Sequence, residues 1–170
     1  MARVLIIGLD GATFDLIRPW AAEGKLPHLK RLMDRGTWAP LESTLPPMTS
    51  PAWPSFATGK YPGKHGVFDL VSAKQGSFNL VNATAVDAAP LWDLLSAQGK
   101  RVGVINVPVT YPPHPVNGFL ISGLLSPAKG QITYPDDLLH AYRHESEPYR
   151  VMPFSQYTPG NEEPFIGDLE

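Results

Sequence analysis

The run Val4-Leu5-Ile6-Ile7-Gly8-Leu9 constrains this chain more than any other stretch. It is apolar throughout, rich in β-branched side chains and closed by Asp10-Gly11. A strand with no polar face must be covered on both sides, so the pattern predicts a central strand of a parallel sheet. Helical spacing from Phe14 to Ala22, stopped by Gly24, and from His28 to Arg35, stopped by Gly36, predicts two helices after it, the second with an inward stripe of Leu29, Leu32 and Met33. Thr49 to Thr58 reads as a short helix ending at Gly59, with prolines near its start, where a missing N–H costs little. Phe78 to Val81 is a short strand, and Pro90 to Gln98 an amphipathic helix with Pro90 at its first position and Gly99 as its stop. Strands follow from Arg101 to Ile105, ending at Asn106, and from Gly118 to Ser122, ending at Gly123; Asp136 to Arg143 gives one more helix.

Strand and helix alternate, which predicts an α/β fold around a mostly parallel sheet over residues 1–150. Residues 151–170 lack periodicity and read as an irregular tail leading to a missing C-terminal part. Ligands of such folds sit beyond the carboxyl ends of the strands, which singles out Asp10 and Asn106.

With 170 residues, 43% of them hydrophobic and 18% charged, the chain can bury a real core. Fourteen basic and sixteen acidic side chains leave a formal charge of −2, so no global field draws it to nucleic acid or to an anionic membrane. Lys60, Lys64, Lys100 and Arg101 form no contiguous basic groove. The first apolar run is too short to span a bilayer, and no small-residue cleavage site follows it. There is no cysteine, so a metal must be held by carboxylate, imidazole, hydroxyl or water. A cytoplasmic location is the expectation.

Three readings of Asp10 stay open at this level. It caps the next helix, it is a nucleophile of the haloacid-dehalogenase type, or it is a metal ligand. The second wants another Asp two residues on, where this chain has Ala12. Thr49 falls at the predicted N-cap of its helix, where the dipole and unpaired amides favour an anion. A hydroxyl is a poor nucleophile near neutral pH unless a base or a cation stabilises its ionised form, so catalysis at Thr49 calls for a divalent ion. The plainer reading is that Thr49 caps its helix, as Ser50 also could.

Three segments in order, Ile7-Gly8-Leu9-Asp10-Gly11-Ala12, Thr49-Ser50-Pro51-Ala52-Trp53 and Thr58-Gly59-Lys60-Tyr61-Pro62-Gly63-Lys64-His65-Gly66, resemble the N-terminal signature of the alkaline phosphatase superfamily. More narrowly, they are similar to its type I phosphodiesterase/nucleotide pyrophosphatase branch and to the group of predicted phosphohydrolases or phosphomutases. The stretches from Asn106 to Pro113 and from Ile121 to Gly123 are similar to that last group. The resemblance implies a three-layer α/β/α sandwich, here incomplete, and an enzyme acting on a small phosphate ester or phosphodiester. It assigns Asp10 and Thr49 to one metal and makes Thr49 the nucleophile, nine residues before Thr58 as in the branch. A metal-bound Thr49 alkoxide, a phosphothreonine and hydrolysis by water on a second metal would follow; a different acceptor would make the same parts a phosphomutase. Two divalent ions, zinc first and manganese second, belong to the full-length protein.

The chain departs from that pattern in two ways. Ala52 and the segment Phe68-Asp69-Leu70 stand where the phosphodiesterase branch commonly has asparagines that orient a phosphoryl oxygen, and Asn106 is the candidate substitute. The Asp-x-x-x-His motif, Asp-His pair and further His that complete the second metal site are missing. The chain is therefore expected to be a fragment, inactive or nearly so alone and binding at most one metal ion weakly. Asp136-x-x-x-His140, with His144 a turn further, has the letter spacing, but acidic residues at a helix start and histidines near its end also suit the helix dipole. His65 is expected to fix its Gly-rich turn rather than bind metal. Trp20, Trp38, Trp53 and Trp92 are read as packing residues, and His28 and His114 carry no readable role. A non-catalytic module binding a nucleotide or a protein is the alternative.

Overall fold

The structure is a computed structural model, in which residues 3–74, 77–141, 149–152, 157–160 and 162–169 are described. The chain divides into two compact units, residues 1–43 and 44–170.

In the first unit Val4–Leu9 pairs with no strand among the described residues, and its large side chains are 54–84% exposed. The central strand read from the sequence is thus not formed as a strand here. Composition makes a segment suitable for a covered strand, but a ladder partner is what makes it one. The run ends in a turn closed by the Ala12 N–H donating to the Leu9 carbonyl at 3.4 Å, with Gly11 at φ 67°. A side chain at that backbone conformation would be strained, so the turn requires glycine. Helix α1, Phe14–Ala22, starts at Thr13, whose hydroxyl accepts from the Asp15 N–H at 3.3 Å. Helix α2, Pro27–Arg35, opens on proline and carries a Lys30–Asp34 pair at 2.8 Å one turn apart. Leu29 and Met33 of its expected stripe are half-buried, whereas Leu32 is 65% exposed, so the buried face is narrower than the spacing implied. Trp38 lies against Phe14 with ring centroids 5.0 Å apart, and the Arg18 guanidinium sits 5.6 Å from its ring.

In the second unit the order is α3 (Thr49–Thr58), α4 (Pro62–His65), β1 (Val71–Lys74), β2 (Ser77–Leu80), α5 (Leu91–Ala97), β3 (Val102–Val107), β4 (Gly118–Ser122), β5 (Thr133–Tyr134), α6 (Leu138–Ala141) and α7 (Glu162–Leu169). Strands β1 and β2 form an antiparallel hairpin in which Val71 faces Leu80. Strands β3, β4 and β5 form a sheet in that order, β3 parallel to β4 with Val104 opposite Leu120, and β5 antiparallel to β4. Val104, Val116 and Leu120 make its core, with Trp92, Val102, Val107 and Tyr134 packed around them. This mixed α/β architecture is the class that the alternation of elements predicts. Pro90 stands at the N-cap of α5 rather than inside it. In the tail, which carries no periodic pattern, α7 forms with Glu162 and Glu163 in its first turn, where negative charge suits the helix dipole.

The last pairs of β3 with β4 are Ile105 with Ile121 and Val107 with Ser122, which leaves Asn106 as the extra residue of a bulge, at φ 55°. A side-chain carbon on Gly123 would stand 2.4 Å from the Val107 carbonyl oxygen, so glycine is what lets β4 approach the bulge.

Candidate active site

Asp10 occupies the turn after Val4–Leu9 and is exposed. Thr13, not Asp10, caps α1. The helix-cap reading of Asp10 therefore falls away, while its role as a ligand is a separate matter.

Thr49 is the first residue inside α3, half-buried, and the N-cap position belongs to Met48 at φ −130° and ψ 154°, with no side-chain cap bond. The sequence placed Thr49 at the cap itself. The shift by one residue follows from Met48, whose carbonyl already accepts from the Ala52 N–H at 3.0 Å and so begins the helix ladder. Pro51 has no N–H, which makes Thr49 and Ser50 the residues whose amides lie in the first turn outside that ladder. Ser50 is fully buried, and its hydroxyl has no hydrogen-bond partner among the described residues.

The first turns of α3 are braced from below. His65 is 0% exposed, its Nδ1 accepts from the Val67 N–H at 3.2 Å, and its Nε2 lies 2.8 Å from Ser55 Oγ. An accepting Nδ1 puts the proton of the neutral ring on Nε2, which donates to Ser55. The His65 carbonyl accepts from the Asp87 N–H at 2.9 Å, tying α4 to the turn before α5. Burial pushes the imidazole pKa down, against the smaller opposing effect of its backbone contacts, including the one with Pro51. His65 thus has the bracing role expected of it. Ser55 was not singled out in the sequence, because its partner lies ten residues away and no local pattern announces the pair. Trp53 meets Phe56 edge-on at 5.8 Å.

Asn106 is exposed on its bulge and donates from Nδ2 to the Val151 carbonyl at 3.3 Å. Thr110 locks the neighbouring loop, donating to the Val107 carbonyl at 2.6 Å and accepting from the Gly123 N–H at 3.0 Å. Asp136 precedes α6 and His140 lies within it, both exposed, while His144 lies outside the described residues. Of the remaining histidines, His114 has a partner that the sequence did not disclose: its Nε2 lies 2.7 Å from Asp93 Oδ1.

A model of the type I phosphodiesterase / nucleotide pyrophosphatase family matches residues 4–163. The chain belongs to that family. Comparison with curated proteins and with solved structures gives no match. Type I phosphodiesterases and nucleotide pyrophosphatases cleave phosphoester bonds, and the α/β architecture of residues 44–170 agrees with an incomplete alkaline-phosphatase-like fold. Among the described residues no helix is long and apolar enough to cross a membrane.

The family is metal-dependent, which makes the donor set of this chain the test. A carboxylate at Asp10 and a hydroxyl at Thr49 are hard oxygen donors suited to a divalent cation. Among the described residues no group of three or more His, Cys, Asp or Glu that could hold a metal ion comes together.

Proposed function

We propose that this chain carries the nucleophile of a metal-dependent phosphodiesterase, with Thr49 attacking phosphorus, Asp10 and Thr49 holding a divalent cation and Asn106 contacting a phosphoryl oxygen. The observation that supports the reading best is the position of Thr49 as the first residue of α3, in the turn that carries the positive end of the helix. The positive end of a helix lowers the energy of negative charge on the hydroxyl and on the phosphate approaching it. The cation, zinc by preference and manganese as the alternative, would supply the charge that favours the ionised hydroxyl over the neutral one.

In the reaction, Thr49 Oγ loses its proton to solvent and forms a bond to phosphorus as the opposite P–O ester bond breaks. The leaving oxygen departs as an alkoxide or phenolate and takes a proton from water. First-turn amides of α3 and the Asn106 side chain stabilise the charge on the equatorial oxygens. Water then attacks the phosphothreonine, releasing a phosphate monoester and restoring Thr49. The brace formed by His65 and Ser55 keeps the helix that carries Thr49 in place.

Bis-p-nitrophenyl phosphate with zinc or manganese tests this. Thr49→Ala should lower turnover roughly 10³-fold without changing the unfolding midpoint. Because no group of three or more His, Cys, Asp or Glu comes together among the described residues, turnover is expected to be slow, and a calorimetric zinc titration gives a second readout: Asp10→Ala should weaken binding about tenfold or more. Turnover that survives Thr49→Ala overturns the nucleophile assignment; zinc affinity indifferent to Asp10→Ala overturns the ligand assignment.

A further inference from the structure

Helix α3 meets a second feature nearer its other end. Pro54 and Ala57 on that helix, with Ala88, Trp92, Pro112 and His114, line a cavity of about 310 Å³. Its size falls in the range of small-molecule sites.

The polar groups that the wall withholds say what would fill it. Pro54, Pro90, Pro108, Pro112 and Pro113 have no N–H to offer. The three threonines of the wall turn their protons into the protein: Thr58 donates to the Pro54 carbonyl at 2.6 Å, Thr84 to Asn82 Oδ1 at 2.7 Å and Thr110 to the Val107 carbonyl at 2.6 Å. The Trp92 indole N–H is buried and does not open into the space. Such a wall is poor in donors, so the occupant it suits brings donors of its own.

Charge points the same way. Asp93 and His114 are the ionisable side chains of the wall among the described residues, and no lysine or arginine joins them. Asp93 Oδ1 lies 2.7 Å from His114 Nε2, whereas Oδ2 has no hydrogen-bond partner among the described residues, on a side chain that stays 34% exposed. A neutral imidazole donates to the carboxylate without cancelling its charge, and a protonated one balances it at most. In either form the wall holds no excess positive charge. An anion finds nothing to answer it there, while a cation finds the open oxygen of Asp93. The wall also includes Val109, a buried β-branched residue at φ 63°. Such a conformation is costly and persists only where its surroundings impose it, as binding sites often do.

We infer that this cavity binds a small organic cation, a primary ammonium on an apolar or aromatic group, with Asp93 Oδ2 as its counter-ion and hydrogen-bond acceptor. The inference does not rest on the phosphodiesterase mechanism, because the carboxylate it uses stands on α5 and not at the start of α3.

The test uses the ¹⁵N-labelled 170-residue chain at pH 8, where an alkylamine is charged and an imidazole is ordinarily neutral. Three probes of nearly the same shape differ in charge: phenethylammonium, 2-phenylethanol and phenylacetate. Phenethylammonium should move the amide signals of Asp93 and His114, saturably, and leave that of Thr49 in place. 2-Phenylethanol should bind about tenfold more weakly, since its hydrogen bond to the carboxylate lacks the second charge, and phenylacetate should not bind measurably. Asp93→Asn keeps an oxygen for His114 but removes the charge; it should weaken phenethylammonium binding about tenfold and leave that of 2-phenylethanol unchanged. The inference is overturned if Asp93 and His114 do not respond, if 2-phenylethanol or phenylacetate binds as tightly as phenethylammonium, or if Asp93→Asn leaves phenethylammonium affinity unchanged. The comparison of the three probes needs no variant and decides the matter even if Asp93→Asn fails to fold.

Discussion

Val4–Leu9 and Gly118–Ser122 are two apolar stretches that read alike as strands, and the structure treats them in opposite ways. The first is exposed along its length and joins no ladder among the described residues. The second is flanked on both edges, by β3 and β5, and its Leu120 is 0% exposed. The difference lies in neighbours, because a strand is stabilised by cross-strand pairs and by burial rather than by the backbone preference of its residues. It also sets apart the two residues proposed to act together. Asp10 follows the unpaired run, whereas Thr49 begins a helix braced from beneath by a buried histidine.

The largest effect separating the two regions should come from Leu120→Ala. Removing a fully buried side chain packed against Val104 and Val116 is expected to cost about 3 kcal/mol, read as a lower urea midpoint at unchanged slope. A loss under about 1 kcal/mol would mean that β4 is not the packed centre of its sheet.

Next in size is His65. His65→Ala should cost about 2 kcal/mol, since Ser55 and the Val67 N–H both lose a partner in a buried place. The pH dependence is more specific. Burial lowers the imidazole pKa in the folded state below its usual 6.5, so beneath pH 6.5 the unfolded chain binds the proton more readily. Stability is then full above that value and falls as pH drops from 6.5 toward the folded-state pKa. His65→Gln, which can still donate to Ser55 and accept from Val67, should remove most of this slope in urea unfolding followed between pH 7 and pH 5. An unchanged slope would show that the ring is not buried in its neutral form.

What could be read beforehand divides along the same line. Helices α1 and α3 and strand β4 were legible to the residue, because spacing, glycine stops and helix starts are written locally. Strand β1 was not, since Val71–Lys74 is a strand only by virtue of pairing with Ser77–Leu80. The bulge at Asn106 depends on how β3 registers with β4, and Trp92, Asp93 and His114 come together only in the folded chain. At the candidate site the ordered motifs around Asp10, Thr49 and His65 carried the family, which the match over residues 4–163 shows. They did not carry the one-residue shift of the α3 cap to Met48, which follows from backbone hydrogen bonding.

The smallest effect is the one that can undo the contrast. Ile7 is 71% exposed, so Ile7→Ala removes little buried surface and should change stability by less than about 0.5 kcal/mol. Amide exchange should agree: Val4–Leu9 has no strand partner among the described residues to protect its N–H groups, while Ile121 and Ser122 sit in the ladder of β4, where exchange requires opening of the sheet. If Ile7→Ala instead costs as much as a core truncation and Val4–Leu9 exchanges as slowly as β4, the run is covered and paired in solution. Asp10 would then sit at the end of a fixed strand rather than on an open turn, and a cation would meet its carboxylate already positioned. Fast exchange that slows when zinc is added, and does not slow in Asp10→Ala, would point the other way: the turn would be ordered by the ion it helps to bind, and part of the binding free energy would go into that ordering.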